Sequence, residues 1–176
     1  MKSDKFIKTD QSEKKEKSFF SLQVNINIFF YFVAAVMSYY FMTFRFAFNV
    51  ENSVATLSKL MTGDAATPFQ YRILIPYLIN LLFIHTKMIL SIKHPIVLFH
   101  LIEFLAAFGF ICASRYYFQL LIRKKIVSII FSLVLFNSLI FNFILPRAIP
   151  IFYPSDIPSM FFFTLGLIFL YKQKWL

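Results

Sequence analysis

"MTGDAATPFQYRILIPYLIN", residues 61–80, decides how this chain sits relative to a bilayer. Its second half opens an apolar run, Ile73–Ile84, with Arg72 before it, His85 and Lys87 after it, and Pro76 and Asn80 within it. Apolar runs of about 10–14 residues are more often interfacial or re-entrant than spanning. Prolonging this one to Leu90 would carry Lys87 into the hydrocarbon. Whether it crosses fixes the side on which every later polar residue lies.

The surrounding sequence is that of a polytopic membrane protein. Of 176 residues, 59% are hydrophobic and 20% aromatic, and this excess over a soluble domain falls in long charge-free runs. Residues 1–20 read as a solvated, disordered cytoplasmic tail of mixed charge. Residues 21–176 read as the membrane domain: a span at 24–44, a loop at 45–94, spans at 95–121 and 126–145, a loop at 146–158 and a span at 159–174. A run of about 20 residues, at 1.5 Å each, crosses a hydrocarbon core of ~30 Å. The first span is too long for a cleaved signal core and reads as an uncleaved anchor. Within the first loop, Asn52 or Ser53 caps a short amphipathic helix carrying Val54, Leu57, Leu60 and Met61, and Gly63 ends it. Prolines 146, 150, 154 and 158 hold the second loop extended.

Lysine and arginine positions arbitrate the topology. If residues 73–90 span, there are five spans and the 18 cations divide 9 inside and 9 outside. If they lie on the surface, there are four, and the division is 12 inside and 6 outside. The positive-inside bias selects the second. The expected fold is thus all-α and integral to the cytoplasmic (inner) membrane, with about four transmembrane helices, external interfacial helices and a cytoplasmic N-terminus. The net charge of +10 is a topology signal, not a nucleic-acid surface, because six of the cations lie in the first 17 residues and most others flank apolar runs. Cys112 is alone, so it forms no disulfide within the chain, and it reads as a buried thiol.

Chemistry-bearing residues are few. Four of the eight acids lie in the tail; the others are Glu51, Asp64, Glu103 and Asp156. Glu51, next to the bilayer, suits a general base or, more plainly, a helix-start acid. Asp64 reads as a turn residue after Gly63. Arg72 and Arg147 are external cations able to grip a lipid phosphate with paired hydrogen bonds, or simply to anchor on headgroups. Glu103 lies inside a span, three residues after His100, so the two form the expected intramembrane polar pair. His85, His94 and His100 lack metal-ligand spacing, and no phosphate-binding glycine loop exists among glycines 63, 109 and 166.

The order of a span, Glu51, "NSVATLSKLM", "TGDAATP" and "RILIPYL", with "RKK" between later spans and "YPSDIPSMFFFTLGLIFLY" at the end, resembles the N-terminal part of GT-C type membrane glycosyltransferases. These include protein O-mannosyltransferases and lipid A aminoarabinose transferases. The phrase "PFQYRILIPYL" also looks like one found in bacterial multi-span proteins of this broad class. The resemblance implies transfer of sugar from a polyprenyl-phosphate donor on the external face in envelope glycan synthesis. It implies Glu51 as base, Asp156 as catalytic partner orienting the acceptor or a divalent cation, and Asp64, Tyr71, Arg72 and Arg147 as substrate-binding residues. Partners would be membrane lipids, the lipid-linked donor and a further membrane subunit, with no nucleic acid. Val50 stands where the family commonly has the first acid of a pair, and the four expected spans are fewer than the family's seven or more. A truncated product, a fragment and a small relative working with a partner are all compatible with that. Two other classes compete: a non-enzymatic subunit or scaffold of polysaccharide assembly or export, and a small transporter with His100 and Glu103 as a proton site.

Overall fold

The computed structural model describes residues 3–51, 56–64, 74–90, 96–144, 151–153 and 155–173. Within these, the side chains of 3–23, 50–51, 57, 85–90 and 151–152 lie outside the described set. Among the described residues the regular structure is helical apart from one two-residue strand pairing. Its elements are α1 (Ser3–Phe48), β1 (Val50–Glu51), α2 (Leu57–Thr62), α3 (Leu74–Leu90), α4 (Ile96–Ile122), α5 (Lys125–Phe143), β2 (Ile151–Phe152) and α6 (Asp156–Gln173).

Among the described residues, three helices are long and apolar enough to cross a membrane: Val24–Phe48 of α1, α4 and α5. The fourth expected span corresponds to α6, whose 18 residues begin with Asp156 and carry Lys172 in the last turn. The backbone of the lysine-rich tail is helical from Ser3, as part of α1. Its composition permits this, since residues 1–48 contain no proline or glycine to break a helix.

α4 is the central helix. In its most apolar stretch 44% is buried, against 22% in α1 and α5. The main core joins Phe30, Ala34 and Phe41 of α1, Ala107, Phe110 and Ile111 of α4, Phe136 and Leu139 of α5, and Ile157 of α6. Small residues let these backbones approach: a Cβ on Gly109 would stand 2.9 Å from the Phe161 ring of α6. Ser38, Ser128 and Ser132 are buried and return their hydroxyls to carbonyls of their own helices, at 2.7, 2.9 and 2.8 Å. This is how small polar residues enter helix contacts where no water is available. The outer faces are the reverse: Phe29, Phe32, Val134, Phe162, Phe163 and Phe169 are exposed, as a bilayer-facing surface requires and a water-facing one does not tolerate.

The stretch around residues 61–80 forms two elements. α2 starts at Leu57, capped by the Thr56 side chain accepting from the Lys59 N–H, rather than at Asn52 or Ser53. Residues 52–55 lie outside the described residues. Gly63 ends α2 in the left-handed region, at φ 82°, as expected from its position. α3 begins at Leu74 with Pro76 in its first turn, where a missing N–H costs nothing, and it runs through His85 and Lys87 to Leu90. Among the described residues, Ile75 and Ile79 of α3 pack on Leu98 and Phe99 at the start of α4, with Phe46, Met61 and Ile102 around them. The Asn80 amide donates to the Met61 carbonyl at 3.4 Å. Among the described side chains these contacts are confined to one end of the bundle. A helix crossing alongside α4 would continue them toward Ala107 and Ile111.

Candidate functional site

That same end carries the charged centre of the molecule. α1 continues four residues beyond the expected end of the first span, and Arg45, the first residue of the expected loop, is wholly buried. Its Nη1 donates to Glu103 Oε1 of α4. Its Nη2 donates to the Tyr153 carbonyl at 2.9 Å and to Asp156 Oδ2 at 3.2 Å. The Phe143 ring of α5 lies 5.1 Å from the guanidinium carbon. Arg45 thus ties together α1, α4, α5 and α6. A planar guanidinium with donors on two edges suits this convergence, and lysine would not.

The expected partner of Glu103, His100, is replaced by Arg45. Glu103 is 2% exposed, and the His100 ring meets Phe46 edge-on, with centroids 4.1 Å apart. A buried carboxylate needs a full counter-charge, and an arginine arriving from another helix supplies one permanently. Sequence reading missed it because the two residues are 58 positions apart. One signal was available: an acid about 10 Å into α4 (seven residues at 1.5 Å each) calls for a cation at comparable depth on a neighbouring helix.

Asp156 opens α6, where a negative charge also complements the helix dipole. One of its oxygens is held by Arg45, yet its side chain is 21% exposed. It lines a cavity of about 600 Å³ with Leu74 and Ile75 of α3, Phe143 of α5, Tyr153 and Ser159. The Ser159 hydroxyl donates to the Ser155 carbonyl at 2.6 Å, and Ser155 also lines the cavity. The wall is therefore apolar toward α3 and carries hydroxyls and one carboxylate toward α6. Such a surface can seat an amphiphile and orient a hydroxyl-bearing group.

Glu51 is brought to the same end by the chain path. β1 pairs in parallel with β2, with Val50 opposite Ile151 and Glu51 opposite Phe152, four residues before Asp156. Asp64 is exposed in the turn after α2, its N–H bonded to the Lys59 carbonyl at 2.9 Å. Tyr71, Arg72 and Arg147 lie outside the described residues. Among the described residues, no group of three or more His, Cys, Asp or Glu side chains is placed to hold a metal ion.

A second arginine missed as a site residue, Arg115, lies at the other end of α4. Its Nη2 donates to Asn27 Oδ1, and its guanidinium carbon stands 4.4 Å from the Phe30 ring centroid and 5.7 Å from that of Tyr31. The signal was a cation inside an apolar run, eight residues before the Arg123–Lys125 cluster. Comparison with protein-family models, curated proteins and solved structures finds no match.

Proposed function

We propose that the chain is a GT-C-like membrane glycosyltransferase, or the N-terminal part of one, that transfers sugar from a polyprenyl-phosphate donor at the external face of the cytoplasmic membrane. In this reading α1, α4, α5 and α6 span, α2 and α3 lie along the outer surface, and the N-terminus is cytoplasmic. The confinement of α3 contacts to the start of α4 supports that arrangement. So does the cation distribution.

The observation that carries the proposal is the β1–β2 pairing, which sets the Glu51 backbone beside the segment leading to Asp156 and its cavity. Glu51 takes the proton from the acceptor hydroxyl. The freed oxygen bonds to the sugar's anomeric carbon as the carbon–oxygen bond to the polyprenyl phosphate breaks, and the phosphate keeps the electron pair. Asp156, positioned by Arg45, accepts a hydrogen bond from the acceptor. Arg72 or Arg147 grips the phosphate, and Asp64 and Tyr71 contribute to substrate binding. The donor's chain dissolves in the bilayer beside the exposed apolar helix faces.

The test is Glu51→Gln in membranes carrying the full chain, supplied with labelled polyprenyl-phosphate hexoses. Losing a general base costs about 10²–10⁴-fold in rate, with the amount of inserted protein unchanged. Equal transfer by wild type and variant refutes the assignment. A second reading, a non-enzymatic scaffold of polysaccharide assembly, is favoured by one observation: Asp156 and Glu103 are both engaged by Arg45, as packing alone would need. That reading expects Glu51→Gln to be silent.

A further inference from the structure

The cavity at the opposite end of the bundle has a different character. It measures about 250 Å³ and is lined by Asn27 and Tyr31 of α1, Arg115, Tyr116 and Gln119 of α4, and Lys125 of α5. Arg115 is 8% exposed, and its Nη1 is buried with no hydrogen-bond partner among the described residues. Its polar neighbour, Asn27, is neutral. A third cation adjoins: Lys172 Nζ of α6 lies 5.2 Å from the Tyr116 ring centroid.

The contrast with Arg45 is direct. Each arginine is buried and each carries its charge permanently, but Arg45 has two carboxylates and Arg115 has none among the described residues. The acids with described side chains, Asp64, Glu103 and Asp156, belong to the turn after α2 and to the other end of the bundle. Glu103 is 12 residues from Arg115 on α4, about 18 Å at the helical rise. A buried cation with one edge unsatisfied and no counter-charge among the described residues is costly unless an anion completes it. Amide and phenol donors from Asn27, Gln119, Tyr31 and Tyr116 surround the place where that anion would sit, and Lys125 adds a second charge. Arginine's forked donors match the oxygens of a tetrahedral phosphate.

We propose that this cavity is a phosphate-binding site, with Arg115 and Lys125 as its charged ligands. It is independent of the sugar-transfer reading, since it uses the far end of α4 and none of the residues assigned there. The phosphate can be borne by a membrane lipid, whose tail would follow the exposed side chains of Ile28, Tyr31 and Ile126, or come free from solution.

The test uses the purified full chain in detergent, titrated calorimetrically with short-chain phosphatidic acid and, in a separate arm, with inorganic phosphate. Binding is expected in at least one arm: tighter phosphatidic acid binding identifies a lipid-borne group, and equal affinity a free anion. Arg115→Gln should weaken binding more than tenfold. Lys125→Gln, an exposed position whose change does not threaten folding, should weaken it several-fold. Lys124→Gln, the exposed neighbour, should leave it within twofold. The proposal is overturned if neither phosphate binds, or if Lys125→Gln binds as tightly as Lys124→Gln and any folded Arg115→Gln binds as wild type does.

Discussion

Replacing Arg45 by methionine tests the central claim about what holds this bundle together. The substitution keeps a long apolar stem and removes the charge. It leaves Glu103, 2% exposed, with no counter-ion, and releases Asp156, which is 21% exposed and can be rehydrated from the cavity. Removing one partner of a buried ion pair costs about 3–5 kcal/mol, most of it the uncompensated charge left behind. Polar contacts between membrane helices average only about 0.6 kcal/mol in double-mutant cycles, so the expectation lies well outside the ordinary range and is easy to miss if wrong. Two further variants separate charge from packing. Glu103→Gln keeps an acceptor for Arg45, which still has Asp156, and should cost about 1–3 kcal/mol. Arg45→Met combined with Glu103→Met removes both buried charges and should recover most of the loss, because a buried pair replaced by apolar groups of similar volume is often neutral. The assay is reversible unfolding of the full chain in mixed micelles, driven by an ionic detergent and followed by circular dichroism. If Arg45→Met unfolds within about 1 kcal/mol of wild type, or the double variant is no more stable than the single one, then Arg45 is not the lock that its burial indicates.

Two more outcomes follow from the packing and the topology. Gly109→Ala gains up to about 1 kcal/mol of helix propensity, but its Cβ would meet the Phe161 ring at 2.9 Å. Overpacking costs about 1–3 kcal/mol, so a net loss near 1 kcal/mol is expected in the same unfolding assay, and Gly109→Ala with Phe161→Leu should reverse it. A stabilised Gly109→Ala single variant would show that α4 and α6 are not in close contact there. For the topology, cysteines placed singly at Lys124 and Ser159, both exposed positions, in a Cys112→Ser background should differ toward an impermeant thiol reagent on intact cells. Position 159 should label and 124 should not; the opposite pattern would reverse the membrane orientation and remove the external site.

What the sequence made legible was what depends on local composition. Charge-free runs bounded by Arg45 and by Arg123–Lys125 put helix limits within a few residues of their places, and Gly63 marked a helix end because only a left-handed residue closes that turn. The α1 backbone runs through the tail, since mixed charge lowers hydrophobicity without lowering helix propensity. Of the candidate site, chain order made legible only that Glu51, in β1, comes beside the segment leading to Asp156. Contacts between distant segments were not legible. Glu103 was matched to His100 because three residues along a helix is the nearest polar neighbour, whereas its partner arrives from a different helix. Arg45 was placed at the surface because a cation at the end of an apolar run normally snorkels to headgroups. Here α4, α5 and α6 close over it before it can.

The two arginines also explain how α1 and α4 are held in register. Arg45 of α1 reaches Glu103 of α4, and Arg115 of α4 reaches Asn27 of α1, so the helices are antiparallel and pinned near both ends. Along α1 the pinned residues are 18 positions apart and along α4 they are 12 apart, a difference of about 9 Å at 1.5 Å per residue. Two extended arginine side chains can absorb that difference, one reaching inward from the end of α1 and the other outward from within α4; shorter side chains at either place could not. The two pins are unequal in kind. The Arg45 pin is neutralised by acids the chain supplies itself, so its removal exposes a buried negative charge and threatens the fold. The Arg115 pin rests on a neutral amide, so its removal leaves no charge stranded, and its unfilled edge gives the cavity a reason to admit an anion.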